Sequence, residues 1–332
     1  MTGEVLPPTF VREDAKRARE LLRNIELPAD AGTGTGLAHD LTLVRKAEAM
    51  TVLVIGTTGA LGSGVAHALV ARGVAVRAMT RRAERLDLHG VDDVVRADLS
   101  QPATLADAFA GVQRVFLLSS PTRDQVTLET NAIVAAERAG VRHIVKVSNL
   151  PIPGLDGGLH GNHRAIERRL AASSVATTVL QPSFFASVLE RQLALLRKGR
   201  FVLPTGSGRI AWIDPRDIAA VAAAVLADAD PPLGALRLTG PEALTAAELA
   251  SRVGLAAGTA IALLQPELET WHAGLVASGM DPWLADSTVH LYGAVAGGAL
   301  ADVSPDAERV LGRPPRAIDE WLVDVLAPLL RA

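Results

Sequence analysis

Residues 51–82 read TVLVIGTTGALGSGVAHALVARGVAVRAMTRR, and this stretch decides the fold. An apolar run at 52–55 predicts a strand that leads into a glycine-rich turn at 56–62. A helix-forming run follows at 65–71, and a second apolar strand is predicted at 74–79. This order of strand, glycine turn, helix and strand is typical of a dinucleotide-binding unit.

Each glycine of the turn has its own mechanical reason. Gly56 permits the sharp exit from the strand, Gly59 lets backbone N–H groups approach a diphosphate, and Gly62 lets the helix pack closely on the sheet. The helix N-terminus then points its partial positive charge at the phosphates. The predicted contacts of this turn are Gly56, Thr58, Gly59, Ala60, Leu61 and Gly62. The alternative is a glycine-rich turn without a ligand.

The end of the second strand indicates which dinucleotide is bound. An acidic residue there would bond the ribose 2′-OH of NAD, but this chain has Thr80-Arg81-Arg82 and no acid before Glu84. The planar guanidinium groups of Arg81 and Arg82 suit a phosphate, so we predict a preference for NADP(H) over NAD(H). The alternative is that both arginines belong to a solvated loop.

Composition excludes several classes of function. The chain has 332 residues, of which 49% are hydrophobic and 21% charged, as in ordinary soluble proteins. A net charge near −3 gives no basic field for nucleic acid, and the absence of cysteine excludes thiol catalysis. The longest apolar helix candidate, residues 218–227, is too short to cross a membrane. The charged N-terminal region does not resemble a signal peptide, so we predict a cytoplasmic protein, and the Ala- and Arg-rich usage suggests a bacterial source.

The rest of the chain continues the alternation of strands and helices. Further strands are predicted at 91–97, 114–119, 143–148 and 177–181, with helices at 103–110, 124–139, 165–172 and 184–197. Apolar runs without polar alternation indicate strands that are buried on both faces of a parallel sheet. From residue 201 the sequence is mainly helical, with short strands at 209–213 and 237–239 and a predicted helix at 318–330.

We therefore predict an α/β fold, with a Rossmann-type doubly wound parallel sheet and a smaller, mostly helical C-terminal part. Residues 1–49 are predicted to be an N-terminal extension that is partly helical or flexible. Residues 50–200 form the dinucleotide-binding core, and residues 201–332 complete the substrate pocket. Ligands of such sheets lie at the carboxyl ends of the strands. That rule places on one rim the glycine turn, Arg81, Asp98, Ser119, Ser120, Pro121, Ser148, Pro182, Phe184 and Phe185.

Further motifs give the chain a family resemblance. They are Gly56-x-x-Gly59-x-x-Gly62, Thr80-Arg81-Arg82, Asp98-Leu99, Ser148, residues 163–167 (HRAIE), residues 178–182 (TVLQP), Phe184-Phe185, residues 212–219 (WIDPRDIA), residues 238–242 (LTGPE) and residues 312–315 (GRPP). As a set, they resemble the NmrA-like family of atypical short-chain dehydrogenases/reductases, over residues 50 to about 330. The resemblance implies NADP(H) binding, with Asp98 and Leu99 near the adenine and Ser119, Ser120 and Pro121 along the ribose.

One departure from the broader group limits the chemistry. Conventional short-chain dehydrogenases use a Tyr-x-x-x-Lys pair to exchange a proton with the substrate oxygen. The single tyrosine here, Tyr292, has no lysine nearby, so alcohol–ketone interconversion by that mechanism is not expected. A quinone or a conjugated enone accepts hydride into a delocalised system, and its oxygen can take a proton from water.

Two side chains are predicted to act at the reacting centre. His163 occupies a helix position where NmrA-like proteins tend to carry lysine or histidine, and it is predicted to anchor the cofactor or to donate a proton to the reduced substrate. Its alternative is a core histidine bonded to Glu167 or to a backbone carbonyl. Ser148 is predicted to bond a substrate carbonyl, with a backbone-bonded hydroxyl as its alternative.

Aromatic side chains are rare in this chain, at 3%. Phe184, Phe185 and Trp212 fall near the rim, and we predict that Phe185 and Trp212 line the substrate pocket. Pro182 and Phe184 are predicted to contact the cofactor, with ordinary core packing as the slightly favoured alternative for Phe184. Two histidines three residues apart, His160 and His163, satisfy only part of a coordination shell, so no metal site is predicted.

These observations lead to a functional hypothesis with two alternatives. The first is an NADPH-dependent reductase of a small, flat electrophile such as a quinone or an enone. The alternatives are a regulatory protein that senses NADP(H) and binds another protein, and a non-redox enzyme of specialised metabolism on the same fold. The expected partners are a small-molecule substrate, no nucleic acid and no membrane, with the chain a monomer or a homodimer.

Overall fold

The computed structural model describes residues 50–82, 88–91 and 93–331. The prediction of an extension at residues 1–49 lies outside the described residues. Within the described ranges, every helix is too short or too polar to traverse a bilayer.

A seven-stranded parallel sheet forms the centre of the molecule, in the order β3-β2-β1-β4-β5-β6-β9. Its strands are β1 (Thr51–Ile55), β2 (Ala75–Thr80), β3 (Asp93–Arg96), β4 (Arg114–Leu117), β5 (His143–Val147), β6 (Ala176–Pro182) and β9 (Gly234–Leu238). All five residues of β5 are buried, as expected for a strand covered on both faces. The predicted doubly wound parallel sheet is confirmed.

Short strands outside this sheet form two pairs. They are β7 (Arg200–Val202), which pairs with β11 (Ala262–Leu264), and β8 (Arg209–Ile210), which pairs with β10 (Leu244–Thr245). Both pairs belong to the C-terminal part of the chain.

Helices cover both faces of the sheet and dominate the C-terminal part, as predicted. They are α1 (Ala60–Val70), α2 (Leu105–Phe109), α3 (Gln125–Ala139), α4 (Gly158–Ala171), α5 (Leu193–Leu196), α6 (Pro215–Ala227), α7 (Ala246–Ala257), α8 (Leu268–Ala277), α9 (Pro282–Ala296), α10 (Asp306–Leu311), α11 (Ile318–Trp321) and α12 (Ala327–Arg331).

Some helix boundaries differ from the sequence prediction. Helix α4 begins at Gly158, seven residues before the predicted start, because Gly157 takes an extended conformation as its N-cap. The helix predicted at 184–197 is a 3₁₀ segment, Ala186–Gln192, followed by the single turn α5. The helix predicted at 318–330 contains a π segment at Leu322–Leu326 between α11 and α12.

The seventh strand comes from the part of the chain assigned to the substrate pocket. The sequence predicted a short strand at 237–239, and the structure pairs Gly234–Leu238 with β6, from Thr178 opposite Gly234 to Pro182 opposite Leu238. The division predicted at residue 200 therefore does not coincide with the end of the sheet.

Two of the family motifs, residues 212–219 and residues 312–315, contribute hydrogen bonds that stabilise the C-terminal part. Asp214 caps α6 by accepting the N–H of Arg216 at 2.8 Å. Asp217 is fully buried and accepts from the guanidinium of Arg313 at 2.6 Å and from the backbone N–H of Arg316 at 2.6 Å. The acidic residues of residues 212–219 thus have structural partners.

Candidate functional site

Strand register brings the predicted rim residues to one edge of the sheet. Ile55 at the end of β1 lies beside Met79 of β2, and Leu117 at the end of β4 lies beside Lys146 of β5. Val147 lies beside Leu180 of β6. Because all these strands are parallel, the segments that follow them leave the sheet at the same edge.

The glycine turn is fixed by close backbone approaches at two positions. Gly56 has a φ of +89°, and a Cβ there would lie 2.8 Å from the carbonyl oxygen of Leu118. A Cβ on Gly62 would lie 2.2 Å from the carbonyl oxygen of Gly56. Any side chain at either position would have to displace backbone of the turn or of the neighbouring strand.

Gly59 differs from the other two glycines. A Cβ there would meet only the carbonyl oxygen of Gly56, at 3.5 Å, among the described residues. Gly59 is exposed, as are Thr58 and Ala60, whereas Leu61 and Gly62 are buried. The protein itself therefore leaves room at Gly59, and this open backbone is the surface that a diphosphate needs.

Helix α1 starts at this surface. Its N-cap is Gly59, and the first turn, Ala60-Leu61-Gly62-Ser63, has no acidic residue. The N–H groups of a first turn have no carbonyl partner within their own helix, so they point outward with a partial positive charge. The glycine turn and the start of α1 therefore fit a dinucleotide diphosphate.

The loop after β2 displays two arginines. Thr80 is buried, and its hydroxyl oxygen accepts the N–H of Arg82 at 3.2 Å. Arg81 and Arg82 are both exposed. The backbone N–H of Ser100 donates to the Asp98 carboxylate at 2.9 Å and lowers the pKa of Asp98, and the positive charge of Arg81 acts in the same direction.

Asp98 and Leu99 follow β3. The Asp98 side chain is only partly buried, and Leu99 packs in the core. The positive charge of Arg81 is close enough to act on the Asp98 carboxylate.

A buried ion pair joins helix α3 to strand β5 behind the rim. Lys146 and Glu129 are both fully buried, and the Lys146 Nζ lies 3.0 Å from the Glu129 Oε2. Ser119 donates its hydroxyl to the Glu129 Oε1 at 2.8 Å, and Lys146 also donates to the carbonyl oxygen of Val147. The pair therefore ties the segment after β4 to the end of β5.

Sequence reasoning missed this pair, although a signal was present. Residues 143–147 read HIVKV, and a lysine inside a strand buried on both faces requires a buried acidic partner. Of the predicted ribose contacts that follow β4, Ser119 is held by this pair, and Ser120 and Pro121 are exposed.

Ser148 belongs to a second polar network. Its hydroxyl donates to the Glu167 Oε1 at 2.5 Å and accepts from the Arg164 Nη2 at 3.1 Å. Glu167 also accepts from Gln181 at 3.1 Å, and Arg164 donates to the carbonyl oxygen of Asn149 at 2.8 Å. The hydrogen of Ser148 is thus already donated within the protein.

His163 is buried on α4 close to both networks. Burial lowers its pKa well below 6.5, and the positive charges of Lys146, His160 and Arg164 lower the pKa further. Its Nδ1 has no hydrogen-bond partner among the described residues. His163 is therefore a neutral imidazole at physiological pH, and Glu167 is engaged by other side chains.

His160, one helical turn before His163, is also neutral. Burial and the charge of Arg164 lower the pKa of His160 to about 4. Across residues 50–82, 88–91 and 93–331, no three His, Asp or Glu side chains come close enough together to hold a metal ion.

An aromatic cluster begins where β6 ends. Pro182 and Phe184 are buried, and the Phe184 ring lies 5.4 Å from the Trp212 ring and 5.3 Å from the Tyr292 ring. Trp271 follows, with its ring 4.6 Å from that of Tyr292. Burial raises the pKa of Tyr292, which keeps its phenol protonated.

The two predicted pocket residues are placed in different surroundings. Trp212 is almost completely buried in the aromatic cluster, whereas Phe185 is half-buried and packs with the residues between the sheet, α1 and α6. Sequence reasoning missed the contacts of Tyr292 with Phe184 and with Trp271, because these residues are distant along the chain.

Comparison with known proteins gives consistent matches. The sequence profile described as the NmrA-like family matches residues 48–281. The NAD(P)H azoreductase of Xenophilus azovorans is 34% identical over 278 residues, which covers 81% of this chain and 96% of the relative. The NADPH-dependent quinone oxidoreductase of Escherichia coli, solved with NADPH, has a TM-score of 0.73 and 27% identity, over 83% of this chain and 99% of the other. The triphenylmethane reductase of Citrobacter sp., solved with NADP(H), has a TM-score of 0.71 and 25% identity, over 84% and 99%.

Proposed function

Because this chain belongs to the NmrA-like family, we propose that it is an NADPH-dependent reductase of a small, flat electrophile such as a quinone or an enone. The observation that carries the proposal is the open glycine turn at the start of α1, with the two exposed arginines after β2 beside it. The relatives support it, since they are named an NAD(P)H azoreductase, an NADPH-dependent quinone oxidoreductase and a triphenylmethane reductase that was solved with NADP(H).

The cofactor would be held mostly by backbone. The turn from Gly56 to Gly62 and the first N–H groups of α1 would bind the diphosphate, and Arg81 and Arg82 would bind the 2′-phosphate. Ser119 would accept a hydrogen bond from a ribose hydroxyl, because its own hydrogen is donated to Glu129. When bound, the nicotinamide supplies a hydride.

The residues at the rim orient the reactants and do not supply a proton. His163 is neutral, and the hydrogen of Ser148 is committed to Glu167. Tyr292 lies in the aromatic cluster. A substrate with a conjugated carbonyl fits this arrangement, because a delocalised oxyanion takes its proton from water without a protein acid.

A pair of cofactor titrations tests the preference. The double variant Arg81→Ala/Arg82→Ala is expected to bind NADPH about 10- to 100-fold more weakly, which is about 1.4–2.8 kcal/mol, and to bind NADH unchanged. Arg72→Ala is the matched control, since Arg72 is an exposed arginine beyond the other end of α1. Equal weakening for both cofactors, or a wild type that prefers NADH, would refute the phosphate assignment.

Turnover distinguishes the reductase from a sensor. Steady NADPH oxidation at 340 nm with 1,4-benzoquinone or menadione is expected from the wild-type protein. Tight NADPH binding without oxidation by any quinone would instead support a protein that senses the cofactor.

A further inference from the structure

The carboxylate of Glu129 gathers three hydrogen-bond donors in the interior behind the rim. Its Oε1 accepts from the hydroxyl of Ser119 at 2.8 Å, the amide nitrogen of Gln125 at 3.2 Å and the Nζ of Lys146 at 3.2 Å. Its Oε2 lies 3.0 Å from the same Nζ. Glu129, Gln125 and Lys146 are buried, whereas Ser119 is half-buried. Ser119 is therefore the member of this network that a ligand can reach.

The carboxylate sets the direction in which its neighbours point their hydrogens, because a carboxylate oxygen only accepts. Gln125 shows how strongly this demand acts. Its amide nitrogen faces Glu129, and its amide oxygen is buried with no hydrogen-bond partner among the described residues. A buried acceptor in that state is costly, so the donation to Glu129 prevails over the needs of the amide oxygen.

Stability alone does not require a buried charge at this position. Replacing both members of a buried ion pair by apolar residues is often neutral or stabilising, whereas removing one member is strongly destabilising. The orientation of Ser119 is the effect of the pair that reaches the surface of the rim.

Ser119 lies beside the glycine turn. It directly follows Leu118, whose carbonyl oxygen would lie 2.8 Å from a Cβ on Gly56. Because its hydrogen is donated to Glu129, the Ser119 oxygen presents only lone pairs to the rim. Such an oxygen can bind a ligand hydroxyl and is mismatched to a phosphate oxygen, which also accepts. This position therefore suits the sugar of a dinucleotide better than its phosphates.

We propose that Glu129, neutralised by Lys146, is a positioning residue that makes Ser119 an obligatory hydrogen-bond acceptor for a ligand hydroxyl. This proposal rests on the proposed reductase function, in which that hydroxyl belongs to a ribose of the cofactor. It gives the buried pair a role in cofactor affinity that is separate from its role in stability.

A double-mutant cycle on the full chain tests this role through the Kd of NADPH, measured by fluorescence titration. Ser119→Ala is expected to weaken binding about 5-fold, as for the loss of one neutral hydrogen bond. Lys146→Met/Glu129→Met leaves no buried charge and is expected to weaken binding by a similar factor, because the freed hydrogen of Ser119 can turn toward the ligand. Adding Ser119→Ala to that variant should then change the Kd by less than about 2-fold.

A second pair variant and a matched control complete the design. Glu129→Gln/Lys146→Met keeps the size of the carboxylate but supplies an amide that can donate to Ser119, so it should weaken binding as the first pair variant does. It takes the place of that variant in the cycle if the first protein does not fold. Ser173→Ala is the control, because Ser173 donates its hydroxyl to an ion-paired glutamate, Glu137, at 2.7 Å near the other end of α3. This variant should bind NADPH as the wild type does.

The role of Glu129 is overturned if either Ser119→Ala or the pair variant binds NADPH as the wild type does. Losses that multiply to about 25-fold in the combined variant would overturn it as well, because the pair and the hydroxyl would then act independently. A Ser173→Ala protein that is weakened as much as Ser119→Ala would have the same meaning. Failure of the reductase function looks different: the cycle of binding constants holds, but no quinone is reduced by any form.

Discussion

The glycine turn and the aromatic cluster lie at the same edge of the sheet, but backbone atoms form the first and side chains form the second. The turn is defined by backbone, since a Cβ on Gly62 would approach the carbonyl oxygen of Gly56 to 2.2 Å. The cluster is defined by side chains, with Phe184, Tyr292 and Trp271 in successive ring contacts. A turn with such close backbone contacts accepts few residue types, which suits a cofactor that many relatives share. A site formed by side chains can vary with the substrate, because its residues can be replaced without a change of fold.

A third element, the buried pair of Lys146 and Glu129, holds the segment after β4 to the end of β5. We expect the largest effect from Lys146→Met, which leaves Glu129 buried without its cation. The free energy of unfolding should fall by about 3–5 kcal/mol in urea denaturation. The double variant Lys146→Met/Glu129→Met should recover most of that loss, because no unpaired charge remains.

The control for this pair is an exposed ion pair of the same kind. Arg123 and Asp281 are 60% and 57% exposed, and Arg123→Ala should cost less than about 1 kcal/mol. A Lys146→Met protein as stable as the wild type would show that the rim does not depend on the buried pair.

Gly62→Val tests whether the backbone of the glycine turn binds the cofactor. Because the added side chain must displace the turn, NADPH binding should weaken by at least 100-fold, equivalent to about 2.7 kcal/mol, in a fluorescence titration. Gly64→Ala lies on the same helix, and its Cβ would make an ordinary contact of 3.4 Å with the Ala219 Cβ. That variant should bind NADPH as the wild type does. If both variants bind equally well, the turn does not hold the diphosphate.

Two buried histidines, His143 on β5 and His160 on α4, make the stability of the folded chain depend on pH. Burial lowers the pKa of His143 to about 4, and the same holds for His160. The unfolded chain binds a proton near pH 6.5, so between pH 6.5 and 4 it holds more protons than the folded one. Stability should therefore be complete above pH 6.5 and fall as the pH drops toward 4, by on the order of 2 kcal/mol for each histidine.

Urea midpoints measured between pH 7.5 and 4.5 test this dependence. The variants His143→Gln and His160→Gln should each show a shallower loss of stability on acidification than the wild type. Parallel curves for all three proteins would mean that other groups cause the acid sensitivity.

The sequence predicts the backbone turn better than the side-chain cluster. The glycine turn and the alternation of strands and helices along the chain could be predicted because both depend on local patterns, the spacing of glycines and the apolar runs of buried strands. The contact between Trp271 and Tyr292, and that of Tyr292 with Phe184, could not, because it depends on how distant segments pack. Lys146 stood in an apolar run, but its partner lies on a helix 17 residues earlier, and nothing local identifies that pairing.

The position of the seventh strand was equally beyond local reasoning, and it has a consequence for synthesis. Strand β6 pairs with β5 on one side and β9 on the other, and β9 begins only at Gly234. Throughout translation of the intervening segment, the seven-residue edge of β6 is bare and able to pair with another nascent chain. A product that terminates near residue 200 is therefore expected to aggregate rather than to fold as a smaller nucleotide-binding protein, and chaperones would be needed most in that interval.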